Sequence, residues 1–302
     1  MKTKIDLYRD MLLIRKFEEH LLDLFSTGKI VGTTHSYIGQ EANAVGIFSI
    51  LTGEEIVFSN HRCHGHYLAY GGDPYLLAAE VMGKVTGVVG GRGGSQHIQF
   101  KNFYSNGIQG GIVPIATGMA LAEKYRHTQR LTIVFLGDGT LGQGIVYESF
   151  NIASLWKIPI LFVVENNLYA QTTPVKKAMA GDIQTRFKAF EIDSIEIDTT
   201  DVIAIQQAAS EAMTRIKEKT SPFGLILKTY RFSAHSKGDD FRDIGEIEKH
   251  KKLDPISLYK EKLGKVNFEE IDNEVSKIVK EAFSKADLDS EPGSSELDII
   301  LE

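Results

Sequence analysis

The chain has 302 residues, 42% of them hydrophobic and 25% charged, with a formal net charge of −6. That is the composition of a globular protein with a sizeable core, and the acidic balance argues against nonspecific nucleic-acid binding. A single cysteine, Cys63, excludes an intrachain disulfide framework and a cysteine-cluster metal site. No apolar run approaches the roughly 20 residues of a membrane span. The opening Met1-Lys2-Thr3-Lys4-Ile5-Asp6 lacks a signal-peptide core, so no membrane association and a cytoplasmic location are expected.

Leu7, Met11, Ile14, Phe17, Leu21 and Leu24 recur every three or four residues, which predicts an amphipathic helix ending at Ser26-Thr27-Gly28. Gln40 to Leu51 reads as a second helix, and Glu55 to Phe58 as a short strand feeding a His-rich loop, 60–66. Asp73-Pro74 pairs an N-cap with proline at the first helical position and opens a helix to about Gly83. Residues 84–112 form a long glycine-rich segment, a length of loop that is usually functional. Pro114 to Tyr125 reads as helix, Leu131 to Leu136 as a strand buried on both faces, and Gly137 to Gly144 as a turn. Ile145 to Trp156 returns to helical spacing, with Trp156 expected in the core, and Ile160 to Val164 is a second buried strand. Residues 171–190 read as irregular, 201–219 as helix and Gly224 to Tyr230 as strand, followed by a 231–245 loop. Charged amphipathic helix and an acidic tail around 289–295 close the chain. The expected organisation is one α/β domain over 1–255, mostly parallel sheet flanked by helices, with a helical C-terminal extension over 256–302.

The deciding motif is Gly137-Asp138-Gly139 followed, 26 residues later, by Asn166-Asn167, each placed where a predicted strand ends. A right-handed βαβ crossover sets the two strands' carboxyl ends side by side, at the edge where such sheets bind ligands. An Asp carboxylate and an Asn amide oxygen brought together there, with phosphate oxygens and water, suit six-coordinate magnesium. The same residues also spell Gly137-x-Gly139-x-x-Gly142, a dinucleotide turn, with Glu165 near the place of a ribose-binding acid. Asp138 between the glycines would repel a metal-free pyrophosphate, so metal–diphosphate leads, and a dinucleotide or a merely structural turn stays open.

Three further stretches carry chemistry-bearing residues. His61-Arg62-Cys63-His64-Gly65-His66 is open to zinc by ligand type, but Arg62 opposes a cation and its guanidinium fork suits phosphate. Gly90-Gly91-Arg92-Gly93-Gly94-Ser95-Gln96-His97 reads by composition as a flexible loop or a functional one. His235-Ser236 follows a buried strand, where a loop histidine is either surface or functional.

Gly-Asp-Gly with Asn-Asn some 25 to 30 residues on resembles the thiamine diphosphate signature. The text from Met11 through His35-Ser36-Tyr37-Ile38-Gly39-Gln40-Glu41, His61-Arg62-Cys63-His64-Gly65, the 90–97 stretch and Tyr230 to Ser236 resembles one family in particular. That family is the alpha subunit of the decarboxylating component of 2-oxo acid dehydrogenases (pyruvate, branched-chain and acetoin types), and the likeness runs to about Ile256.

The resemblance implies a thiamine diphosphate-binding fold and a set of roles. Asp138 and Asn167 would bind Mg2+ through side-chain oxygens, with the Tyr169 carbonyl a third ligand. His61, Arg62, Gly137, Gly139, Thr140 and His235 would contact the cofactor, and Gly107 and Gln109 would run beside its pyrimidine. Gln109 departs from the apolar residue usual there, and His61 from an aromatic one. His235, His97 and His35 would serve the reaction, His235 chiefly in acyl transfer and from a loop that orders on cofactor binding. Ser236 matches a phosphorylation site of mitochondrial relatives, but its loop is shorter here, so that regulation is not expected. The chain has room for one cofactor domain, so a beta subunit would supply the activating glutamate in an α2β2 heterotetramer. Decarboxylation of a small 2-oxo acid would be followed by acyl transfer to a lipoyl-bearing acyltransferase component. A carbon–carbon ligase or transketolase-like subunit without a lipoyl partner is the alternative.

Overall fold

The computed structural model describes residues 2–30, 32–236, 238 and 240–293. The chain opens with helices α1 (Lys4–Ser26) and α2 (Glu41–Phe48), strand β1 (Ile56–Ser59), and helices α3 (Cys63–Ala69) and α4 (Pro74–Val81). Strands β2 (Gln99–Phe100) and β3 (Phe103–Ser105) precede α5 (Ile112–Arg126), β4 (Thr132–Gly137), a 3-10 turn (Asp138–Gly142), α6 (Gly144–Leu155) and β5 (Ile160–Asn166). Next come β6 (Tyr169–Ala170), β7 (Thr173–Pro174), α7 (Val175–Ala178), α8 (Ile183–Lys188), β8 (Asp193–Ile197), α9 (Val202–Lys219) and β9 (Phe223–Lys228). Helices α10 (Ile244–Lys251), α11 (Pro255–Lys262) and α12 (Phe268–Asp287) finish the described chain, in which no helix is long and apolar enough to cross a membrane.

Seven strands form one sheet in the order β2-β3-β1-β4-β5-β9-β8, parallel except for the β2–β3 pair. Pleating sends alternate side chains to opposite faces, and both faces are covered. Val57, Ile133, Phe135, Leu161 and Val163 pack under α1, α2, α3, α4, α9 and α12. Phe58, Val134, Leu136, Phe162 and Val164 pack under α5, α6 and α8. This double coverage is why the strands read as unbroken apolar runs rather than alternating ones. Burial of each such side chain contributes roughly 1.5–3 kcal/mol.

The C-terminal helices share the first of these two cores, through Ile256, Tyr259, Ile271, Val275 and Phe283. Arg15 ties them in: its Nε lies 2.6 Å from Glu41 Oε1 and its Nη2 2.7 Å from Asp254 Oδ1. Helix α1 starts one turn before the apolar repeat because Thr3 and Asp6 form a reciprocal capping box.

Several expectations need correction. The 60–66 loop is only a turn, because α3 begins at Cys63 and carries His64 and His66 inward. Residues 84–112 hold β2 and β3, and 171–190 hold β7, α7 and α8. β8 went unpredicted; it is an edge strand whose Asp193-Ser194-Ile195-Glu196-Ile197 buries little. Trp156 is 50% exposed, lying at the C-cap of α6 rather than in the core. In the tail, Asp289 accepts hydrogen bonds from Tyr75 and Thr86, while Ser294 and Ser295 lie outside the described residues.

Candidate functional site

β3 and β5 lie on opposite sides of the β1–β4 pair, so the connections leaving β1 and β4 diverge and open a crevice beyond their carboxyl ends. A cleft of about 360 Å³ occupies that place, and His35, His61, Arg62, Gly107, Gln109, Gly137, Asp138, Gly139, Thr140, Asn167, Tyr169 and His235 all line it. In-register pairing of Gly137 with Glu165 brings Asp138 and Asn167 to one edge. Gly139 is required there, because a Cβ would stand 2.6 Å from that of Ala170 in the β6–β7 ribbon.

The Asp138 carboxylate is incompletely satisfied. Oδ1 accepts from the Gly139 N–H at 3.0 Å, while buried Oδ2 has no partner. Burial pushes the carboxyl up to about 6, against the pull of the Gly139 N–H and of Arg62 and Arg231. Arg62 is buried as well: Nη1 donates to the Ser36 carbonyl at 2.6 Å, but Nε has no partner. Desolvation and the neighbouring Arg231 lower the guanidinium to about 9, so it stays charged at neutral pH. His61 Nδ1 is likewise without a partner, and burial followed by repulsion from Arg62 holds the ring well below the usual imidazole range. An orphaned carboxylate oxygen in one cleft with an orphaned guanidinium donor and an unpartnered neutral imidazole nitrogen is what a divalent cation carrying a diphosphate would complete.

His35, His61 and His235 place ring nitrogens within 4.8 Å of one another, a spacing that could attract a transition metal. Arg62 Nη2 lies 3.1 Å from His235 Nδ1 and puts a fixed positive charge against that reading. A guanidinium only donates, so Nδ1 accepts and the His235 ring proton sits on Nε2. Arg242 fastens residues 230–233: it donates to the carbonyls of Arg231 and Ser233 at 2.7 and 2.8 Å and lies over the Tyr230 ring. Glu246 accepts from the hydroxyls of both Tyr169 and Tyr230, tying α10 to the cleft wall. Asp239 lies outside the described residues.

Glu165, the rival ribose acid, lies under the cleft floor. Tyr37, Asn43 and Asn60 donate to it and His66 lies 3.5 Å away, so no oxygen faces a ribose, and the dinucleotide reading falls. Through Asn60, whose Oδ1 accepts from the Arg62 N–H at 2.8 Å, it supports the His61-Arg62 turn. His64 and His66 have partners on both ring nitrogens (Glu18 and Ser95; Ser59 and Tyr37), which removes the zinc reading of that stretch.

His97 stands outside the cleft. It is exposed and borders a separate hollow with Leu21, Ile30 and Thr34. The chain turns there, with His97 N–H bonded to the Gly93 carbonyl, and successive side chains diverge so that Gln96 takes the inward place. Gln96, Gln143, Ala170 and Gln171 also line the cleft and were not singled out from the sequence; their nearness to motif residues was the only signal.

Residues 9–295 match the family model of the dehydrogenase E1 component. The chain belongs to that family. Among its relatives, the pyruvate dehydrogenase E1 component subunit alpha of Rhizobium meliloti is 40% identical over 309 residues, covering 97% of this chain and 89% of the relative. The Zymomonas mobilis protein of that name is 38% identical over 97% of this chain and 86% of its own length. A chloroplastic alpha-3 subunit from Arabidopsis thaliana is 36% identical over 97% and 73%. As an E1 component of this family, the chain works in the thiamine diphosphate-dependent oxidative decarboxylation of a 2-oxo acid.

Proposed function

We propose that this chain is the alpha subunit of an α2β2 E1 enzyme, and that residues 1–255 bind thiamine diphosphate through Mg2+ while 256–302 brace that unit. The unpartnered Asp138 Oδ2, in one cleft with the cationic Arg62 and the neutral His61 ring, carries the reading. Asp138, the Asn167 amide oxygen and the Tyr169 carbonyl hold the metal, and Arg62, His61, Gly139 and Thr140 hold the diphosphate. Bound there, the cofactor supplies the carbon nucleophile and electron sink for decarboxylation. His35 stands at the substrate end, and His235, a neutral ring whose Nδ1 accepts from Arg62, uses its Nε2–H to hydrogen-bond the lipoyl sulfur that departs as thiolate during acyl transfer. His97 lies outside the cleft and is left to a surface the partner completes.

Among the described residues the cleft lining offers Asp138 as its one carboxylate, and with that group assigned to the metal the beta subunit supplies the activating acid at an interface. Exposed apolar side chains on and beside α5 and α6, namely Ile108, Ile115, Tyr125, Leu155 and Trp156, support a subunit contact on that face. The relatives' name favours pyruvate or a similarly small 2-oxo acid; a lipoyl-bearing acyltransferase is the proposed acceptor and the cytoplasm the proposed location. The test is calorimetric titration of the α–β complex with thiamine diphosphate, with and without Mg2+, followed by lipoyl-domain acylation. Metal-independent binding would remove the proposed site. Decarboxylation without acylation of any lipoyl domain would favour the ligase alternative.

A further inference from the structure

We infer that Gln40, which is not among the residues lining the cleft, is a positioning residue for the metal site: its side-chain oxygen holds the Asn167 amide so that Oδ1, and not the NH2 group, is the atom left for a divalent cation. The inference rests on the proposed metal–diphosphate reading and adds a residue that touches neither metal nor cofactor.

An Asn side chain presents an oxygen on one edge and an NH2 group on the other, and only the oxygen can ligate a hard cation. The torsion that turns the amide is broad and roughly two-fold, so the fold has to select one edge. Selection starts at the backbone. The Tyr169 N–H lies 3.2 Å from the Asn167 amide and requires an acceptor, which assigns Oδ1 to that side. Nδ2 then meets the Gln40 side chain at 3.2 Å, and a donor there requires that Gln40 present Oε1. Reversing either amide would set donor against donor. Oδ1 keeps a second lone pair beyond the one used by the Tyr169 N–H, and that lone pair is free for a metal.

Helix initiation does not account for this amide. Gln40 is the N-cap residue of α2, yet its side chain makes no capping hydrogen bond. Gln40 is buried, and with Oε1 committed to Asn167 its Nε2 has no partner. A buried donor in that state is costly and uncommon, so the Oε1 contact is kept at the expense of the other end of the amide. The turn that carries Gln40 is fixed as well. The Gly39 N–H donates to both Glu41 carboxylate oxygens at 3.1 and 3.0 Å, Glu41 is paired with Arg15, and the Ile38 carbonyl accepts from the Phe232 N–H at 3.0 Å. Gly39 has φ +97°, and a Cβ there would stand 2.4 Å from the Tyr230 carbonyl oxygen, so glycine is what lets the turn approach this closely.

The test follows Mn2+, standing in for Mg2+, in the α–β complex with thiamine diphosphate, with free ion measured by electron paramagnetic resonance and no turnover required. Gln40→Met keeps the length of the side chain without an acceptor and should weaken Mn2+ binding by roughly 10–100-fold, with circular dichroism unchanged. Gln40→Leu is the second variant of this kind, used where methionine at 40 does not fold. Gln40→Glu retains an acceptor against Nδ2 and should bind Mn2+ at least as tightly as wild type. Asn167→Asp has an oxygen on both edges and needs no orienting, so in that background Gln40→Met should cost far less. Undiminished Mn2+ binding in Gln40→Met, a loss that Gln40→Glu shares, or an equal loss in the Asn167→Asp background overturns the inference while the metal site stands. A wild-type complex that takes up no Mn2+ with thiamine diphosphate brings down the metal–diphosphate reading itself.

Discussion

Two glycine-rich loops of this molecule each enclose a buried carboxylate, and they treat it in opposite ways. The 87–94 stretch surrounds Glu80 with four backbone donors, both oxygens engaged. The Gly137–Gly142 turn gives Asp138 one donor and leaves its other oxygen orphaned. The first loop is structure, a small anion nest whose ligand belongs to the chain itself. The second leaves an oxygen in the cleft without a protein partner, as a binding site would. The histidines divide in the same way: His64 and His66 have protein partners at both ring nitrogens, whereas His61 keeps one ring nitrogen unpartnered in the cleft. Burial therefore does not distinguish a functional polar group from a structural one. Satisfaction does.

The most severe test of this contrast is Asp138→Ala. It should abolish Mg2+-dependent thiamine diphosphate binding by calorimetry while circular dichroism stays native and the denaturation midpoint does not fall; retained metal-dependent binding would place the site elsewhere. On the cleft rim, His235→Ala should reduce lipoyl-domain acylation by roughly 10²–10⁴-fold, with decarboxylation measured through an artificial acceptor falling much less. Equal losses in the two assays would assign His235 to the earlier step. Glu80→Gln should have the complementary effect. It sets an amide N–H against backbone N–H groups and should lower unfolding free energy by about 3–5 kcal/mol, read by urea denaturation.

Asp138→Asn sharpens the contrast from the stability side. The carboxyl titrates at about 6 in the fold against 3.8 for an unperturbed one, so the protonated form is favoured by folding. Its contribution is fully present below about pH 3.8 and is lost as pH rises through 6. Above that range the Asn variant of the cofactor-free chain should be more stable than wild type by on the order of 1–3 kcal/mol, with the gain vanishing near pH 4. A variant no more stable at pH 8 would mean that Asp138 is already compensated. The exposed Arg9–Glu274 pair marks the lower end of the scale: Arg9→Ala should cost at most about 1 kcal/mol and less in salt.

Much was legible in the residues alone. The apolar runs at 131–136 and 160–164 announced strands buried on both faces, and the spacing of Gly137-Asp138-Gly139 and Asn167 announced that they meet at one sheet edge, because local chemistry and spacing are written in one dimension. The cap signals Asp73-Pro74 and the α1 repeat held for the same reason. What sequence could not decide was which polar groups find partners in three dimensions. Glu165 reads in sequence as an available acid, yet Tyr37, Asn43 and Asn60, more than 100 residues away along the chain, satisfy it. Gln96 and His97 are neighbours in sequence, and only the turn at Gly93 determines which one enters the cleft. Hydrogen-bond satisfaction depends on contacts between distant segments, so the tertiary structure alone separated the carboxylate left with an unpartnered oxygen from the carboxylates that hold the fold.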